Sequence, residues 1–472
     1  MRRGSVLAAV GIVALVVLVA GYLEVTIGPS APVTTGVASS GVSESSVVSS
    51  STGGCGAGST GPDWTTYHGN GSRAGSVDQG VSCATAAWRS GDLDGDVYAE
   101  PLVWRGTVIV ATENDSVYAL NVTTGGQMWR TNVAAPVPGS ALPCGDIDPS
   151  GITGTPVFDE ATGTVYVVAF ESPGAHYLVA LDGSNGQVEF TARADPPGAD
   201  PLVEQQRGAL ALANGRVYVP FGGLDGDCGD YHGWVVGLNA NGSGGEVSYE
   251  VPTNREGGIW APSGIAVAQS GDLFVATGNG DSTSNFDHGD SVIELSPALS
   301  EIGYFAPSNW AALNAGDADL GSVGPALLAG GQIFQIGKEG VGYLLDAGDL
   351  GGIGGQVFAG QVCSSAFGGV AYAGGVVFVP CTDGLYALTV TPDSFSPLWS
   401  SASFAAGPPV VTGDVVWALD TSNGTLHGYA AGSGSVLFTF STGGVTRFTT
   451  PSVGEGRILV AAGKEVFAFS FG

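Results

Sequence analysis

Lysine occurs only twice in the 472 residues, at Lys338 and Lys464. Lys338 stands in FQIGKEGVGYLLD, and a short way upstream lies NAGDADLGSVGPALL, with Asp317 and Asp319. Further upstream are GGIWAPSG, with Trp260, and DLFVATGNG, with Asn279. A fixed cation, carboxylates that take protons, an amide oxygen and an indole do chemistry together only if the fold brings them to one place. Other patterns carry less. GAGSTG (Gly56 to Gly61) matches a phosphate-binding glycine pattern but does not stand at a strand-to-helix turn. DLDGD (Asp92 to Asp96) starts like a calcium loop, but Val97 and Val103 hold the positions that need Gly and Glu. His68, His176, His232, His288 and His427 show no metal-ligand spacing, and neither G-x-S-x-G nor H-E-x-x-H occurs.

Charge excludes one large class of partner. Lys and Arg number 14 against 43 Asp and Glu, a net charge of −29. Nucleic acid binds basic surfaces, which this chain cannot build. Charged residues are only 12% of the chain, so solubility rests on Ser, Thr, Asn and Gly. A surface with few cations gains little positive charge when carboxylates protonate, so tolerance of acid is expected.

The chain starts MRR and continues with an uncharged, mostly apolar run from Val6 to Leu23. That run is long for a signal peptide and close to a membrane span, so residues 1–27 read as a signal anchor or a cleaved signal peptide. Arg2 and Arg3 favour a cytoplasmic N-terminus, with the body outside. Residues 28–62, rich in Ser, Thr and Gly, read as a flexible linker. Six cysteines, an even number, fit an oxidising compartment and permit fifteen pairings.

From Asp63 the chain repeats one phrase. GTVIVATENDSVYALNVTTGGQMW (Gly106 to Trp129) reads as strand, turn, strand, Gly turn, strand, and the phrase returns from Gly163, Gly215, Gly271, Gly331, Gly375, Gly413 and Gly456. The middle of its third strand falls at Ala119, Ala180, Gly237, Glu294, Leu344, Ala387, Gly428 and Ala468. These spacings, about 60 shrinking to about 40, suit propeller blades. Each copy also has an apolar strand ahead of it, giving four strands per unit. No convincing helical period follows the N-terminal run. The expected fold is all-β: an eight-bladed propeller over residues 63–472, built of four-stranded antiparallel blades and preceded by one N-terminal transmembrane helix. The last unit stops at Gly472 without a fourth strand, and SCATAAWRS (Ser82 to Ser90) looks like the missing one. Ala84 to Arg89 should therefore close the ring beside Val466 to Phe469, which removes exposed sheet edges.

In a propeller, the loop leading into each blade and the loop between its second and third strands share one face. That topology puts Trp260, Asn279, Asp317, Asp319 and Lys338 together on the funnel face of blades 4 and 5. It puts Cys144 and Cys228 on the same face of blades 2 and 3, and Cys363 with Cys381 around blade 6. The expected disulfides are then Cys144–Cys228, Cys363–Cys381 and, from what remains, Cys55–Cys83.

The units resemble the pyrroloquinoline-quinone (PQQ) repeat, through the YAL strand followed by TTGGQMW and through DWTTYHGNGSRAG (Asp63 to Gly75). The resemblance implies the propeller of the quinoprotein alcohol dehydrogenase superfamily. It also implies roles: Trp260 beneath the quinone, Lys338 bonded to the quinone oxygens, Asn279 on a calcium ion, and Asp317 or Asp319 as the catalytic carboxylate. The chain departs from the family in three places. An adjacent cysteine pair is replaced by PCGDIDPSG with the single Cys144, and the arginine expected soon after is missing. Where the third blade should offer a calcium-binding Glu stands GDCGDYHGW, with Asp227 and Asp230 as substitutes. The same repeat also builds non-enzymatic scaffolds. The expectation is a membrane-anchored, extracytoplasmic propeller that binds a ligand or protein on its funnel face. The alternative is a calcium- and PQQ-dependent dehydrogenase of small alcohols or sugars.

Overall fold

The structure, a computed structural model, describes Cys55 and residues 61–472. The expected anchor over residues 1–27, and nearly all of the linker over residues 28–62, lie outside the described residues. Among the described residues no helix is long and apolar enough to cross a membrane.

Eight antiparallel sheets follow one another along the chain. Blade 1 is made of Leu102–Trp104, Thr107–Thr112, Ser116–Asn121 and Gln127–Asn132, paired in that order. Its first three strands are almost wholly buried, and its outermost alternates between exposed and half-buried residues. That gradient is what a radial stack of sheets imposes. All eight expected third-strand markers fall within third strands.

The glycines of the repeat have a packing reason. Trp88 on the outer strand of blade 8 lies against Gly125 in the turn of blade 1 and donates its indole N–H to Val122 O at 2.8 Å. Trp129 does the same to blade 2, against Gly186 and to Gly183 O at 3.1 Å. Trp399 does it to blade 7, against Gly434 and to Ala431 O at 2.7 Å. Each of these glycines has φ near +70°, and a Cβ there would enter the indole. The phrase TTGGQMW therefore encodes both sides of a contact between neighbouring blades.

Ring closure is as expected. Ala84–Arg89 pairs antiparallel with Glu465–Phe471, Ala84 opposite Phe471 and Arg89 opposite Phe467. The three disulfides are Cys55–Cys83, Cys144–Cys228 and Cys363–Cys381. Some features depart from the expectation. Three blades carry an extra two-residue strand: Glu204–Gln205 in blade 3, Gly352–Ile353 in blade 4 and Ser76–Val77 in blade 7. One α-helix, Trp310–Gly316, lies between blades 4 and 5. Two turns are too short to register as a 3.6-residue period.

DWTTYHGNGSRAG forms a hub across the propeller axis. Trp64 pairs with Val103 of blade 1, and Phe158 of blade 2 donates to Thr65 O at 2.8 Å. Val267, Leu327, Tyr372 and Val411 of blades 4 to 7 donate to the carbonyls of Gly71, Ser72, Ala74 and Gly75. Arg73 reaches Leu210 O of blade 3 at 3.0 Å, and the Tyr67 hydroxyl meets Thr450, at the start of blade 8, at 3.1 Å. One short segment thus bonds to all eight blades. Trp64 and Arg73 are almost fully buried, as is Glu100, which accepts from the Trp64 indole and from His68 N.

Candidate functional site

The opposite end of the axis is open. A cavity of about 380 Å³ is lined there by Trp260, Asn279, Asp317, Asp319 and Lys338 among others. The five residues come from four segments of blades 4 and 5. Trp260 lies in the loop before Ala266–Val267, and Asn279 follows Leu273–Ala276. Asp317 caps the helix Trp310–Gly316 in the left-handed conformation, φ 49°, and Asp319 starts the next turn. Lys338 follows Gln332–Gln335 and donates its backbone N–H to Asp319 O at 2.9 Å. Glycines clear the ground for these contacts. A Cβ on Gly278 would stand 2.9 Å from the Trp260 indole nitrogen, and one on Gly337 would overlap Asp319 O.

Lys338 Nζ lies 2.8 Å from both Asp317 Oδ1 and Asp319 Oδ2, and 5.7 Å from the centre of the Trp260 ring. The two aspartates differ. Asp317 has 65% of its side chain exposed on the rim, whereas Asp319 has 5%. Burial raises the Asp319 pKa, and Lys338 offsets this only in part. Burial alone would lower Lys338, but the Asp319 and Asp317 carboxylates outweigh it and leave the amine above its ordinary value. Asp319 is therefore a buried carboxylate held next to a cation, and Asp317 is a rim partner of that cation.

Asn279 donates its backbone N–H to Asp319 Oδ1 at 2.9 Å and its amide to Glu256 Oε2 at 3.0 Å. Glu256, in the same loop as Trp260, is a residue the sequence reading missed. It stands four residues before Trp260, whereas the family resemblance points to an acid in blade 3. Burial raises the Glu256 pKa, Arg255 lowers it, and Asp227, Asp281 and Asp319 raise it further. Asp227 lines the cavity and accepts from the Tyr231 hydroxyl at 2.7 Å. Asp230 is exposed and is not among the residues lining the cavity.

The far wall was also missed. Arg207, Arg447 and Phe448 face the cavity from the loops leading into blades 3 and 8. Phe448 stands edge-on to Trp260, with ring centres 6.2 Å apart. Nothing in their sequence context marks these residues. Below Phe448 and Arg207 a chamber of about 30 Å³, lined also by Tyr67, Tyr98 and Thr450, separates the cavity from the hub. The Cys144–Cys228 bridge ties the loop leading into blade 2 to a loop of blade 3 that lines the cavity through Leu224 and Gly226.

The family model described as outer membrane protein assembly factor BamB matches residues 73–309, half of the chain. The chain belongs to the PQQ-like β-propeller family. No curated protein matches it. Among solved structures, the PQQ-like propeller is similar to the quinohemoprotein alcohol dehydrogenase from Comamonas testosteroni, with TM-score 0.67 and 17% identity over 87% of this chain and 80% of that one. It is similar to a europium-containing methanol dehydrogenase, with TM-score 0.68 and 14% identity over 87% and 98%. It is also similar to BamB from Moraxella catarrhalis, with TM-score 0.58 and 15% identity over 82% and 100%. At these identities the likeness is one of fold.

Proposed function

We propose that this PQQ-like propeller works through its funnel cavity as a small-molecule site, and that the molecule is PQQ with calcium, making the chain a dehydrogenase of small alcohols or sugars. The observation that carries the reading is the convergence of Trp260, Asn279, Asp319 and Lys338 on one cavity of ligand size, about 380 Å³. The residues fit the group on two counts. Trp260 offers an aromatic face to a planar molecule. The Glu256 and Asp319 carboxylates both bond to Asn279, Asp227 and Asp281 add further negative charge, and such oxygen donors suit calcium. The cover of the site differs from the family pattern: Phe448 stands on the far side, and no adjacent cysteine pair does.

When bound, the quinone would supply a two-electron acceptor. The protein's own part follows from its geometry. Asp319, buried and with a raised pKa, takes the proton of a substrate hydroxyl. Lys338 stays charged, keeps Asp319 oriented and presents a cation to electron-rich oxygens. Trp260 holds the planar body, and Phe448 narrows the access of water.

A second reading has its own support. Lys338 is already neutralised by two carboxylates, and a cation so paired suits a recognition surface for a protein or ligand without chemistry. Both readings include an extracytoplasmic propeller anchored through residues 1–27. The three disulfides support that placement. Calorimetry with PQQ and calcium, followed by electron transfer from a primary alcohol to an artificial acceptor, decides between the readings. Binding plus turnover is expected. Asn279→Ala should weaken the dependence on calcium, and Lys338→Ala should weaken quinone binding roughly tenfold to a hundredfold. No quinone binding at high micromolar concentration would leave the recognition surface.

A further inference from the structure

The chain has 14 cationic side chains against 43 acidic ones, so a cation without a carboxylate partner needs a reason. Arg89, Arg130, Arg193 and Arg255 pair with carboxylates. Arg73 gives its N–H groups to carbonyls and to Thr66. Two cavity arginines do neither. Arg207 is half-buried, donates to Gln205 Oε1 at 3.0 Å, and lies 5.4 Å from the centre of the Phe448 ring. Arg447 lies 5.9 Å from the same ring and 5.1 Å from Phe367. Neither forms an ion pair among the described residues. Asp146 and Asp225 act on Arg207 only through space, and burial still lowers its pKa.

A guanidinium stacked on an aromatic ring keeps its in-plane N–H groups free, and that fork matches a carboxylate. Two such forks at one ring leave guanidinium donors in the cavity lining beyond the one that Arg207 gives to Gln205. The cavity carries charge of both signs. Asp227, Asp317 and Asp319 line it with Lys338, and Arg207 and Arg447 stand beside Phe448, with Asp146 and Asp225 also in the lining and acting on Arg207.

We infer that Arg207 and Arg447, set around Phe448, form an acid-recognising subsite for a ring compound carrying two or more carboxylates, with its ring against Trp260. The inference rests on the cavity being a ligand site and not on the ligand being a quinone.

The test uses the full chain and benzene-1,3,5-tricarboxylate as probe, with its trimethyl ester as the uncharged control, in calorimetry at low salt up to millimolar concentration. The acid should bind and the ester should not. Arg447→Gln and Arg207→Gln should each weaken binding about tenfold or more, and added salt should weaken it further. Arg105→Gln, at an exposed arginine that does not line the cavity, should change it less than about threefold. Melting curves accompany each variant, and exposed Arg447 serves if Arg207→Gln destabilises the fold. The inference is overturned if the acid does not bind, if the ester binds as well, or if Arg447→Gln binds unchanged. If PQQ binds and neither arginine matters, the dehydrogenase reading stands and this subsite falls. If the tricarboxylate binds through the arginines and PQQ does not, the reverse holds.

Discussion

The two ends of the propeller axis hold their arginines in different ways. At the hub end, Arg73 is buried but gives its N–H groups to Thr66 and to the carbonyls of Tyr67, Leu210 and Ile265. Glu100 accepts two N–H groups from Trp64 and His68. At the funnel end, Arg207 and Arg447 line an open cavity and form no ion pair among the described residues. Polar groups that only hold a fold together are satisfied within it. Polar groups left short of partners around an open cavity mark a place where something else is bound. The comparison assigns structure to one end and binding to the other.

The most severe way to break this contrast is to remove the hub. Deleting residues 63–90 takes away both the segment bonded to all eight blades and the closing strand, exposing the edge of Glu465–Phe471. Light scattering should show aggregation and no folded monomer. A stable monomer would mean that neither closure nor hub holds the ring. Within the hub, Trp64→Ala should cost about 3–5 kcal/mol in urea unfolding, because a fully buried indole is lost along with its bond to Glu100. Ligand affinity of the surviving folded protein should not change.

Stability against pH sharpens the contrast further. Burial pushes Glu113 up to about 7, and Asp115, Glu204 and Asp290 up to about 8, from ordinary values of 4.5 or 3.8. A carboxyl raised in the folded state contributes stability that is complete below its unfolded pKa and is lost as pH rises through the folded value. Melting temperature should therefore fall between pH 5 and pH 8.5. On the acid side, burial holds His68 at about 3 and lowers His176, and Asp94, Asp182 and Asp195 also lie below their ordinary values. The two histidines start to lose their contribution below about pH 6.5, and the three aspartates below about 4. An optimum at about pH 4 is expected, and a melting temperature that climbs steadily from pH 5 to pH 8.5 contradicts the account.

Lys338→Ala is the mildest change for the fold. Asp319 loses its partner but can take up a proton, so a loss of about 1–2 kcal/mol is expected. A loss as large as that of Trp64→Ala would make Lys338 a structural residue and remove it from the binding end.

Much was legible in the chain. The blade count, the third-strand positions, the closing strand Ala84–Arg89 and the three disulfides all follow from repetition, because a unit that recurs with period and turn chemistry intact folds the same way each time. The convergence of Trp260, Asn279, Asp319 and Lys338 followed from topology. Hidden from sequence were departures from the repeat: the helix Trp310–Gly316, the extra parallel strands, and the partition between exposed Asp317 and buried Asp319.

By itself, the sequence determined the ring, because strand alternation and Gly-marked turns are local and are repeated eight times. It could not place Glu256 against Asn279, or Arg207 and Arg447 around one phenylalanine. Those residues lie in irregular loops of different length, and their meeting depends on where each blade sits around the axis. Only ring closure fixes those positions, and with them the charges of the cavity.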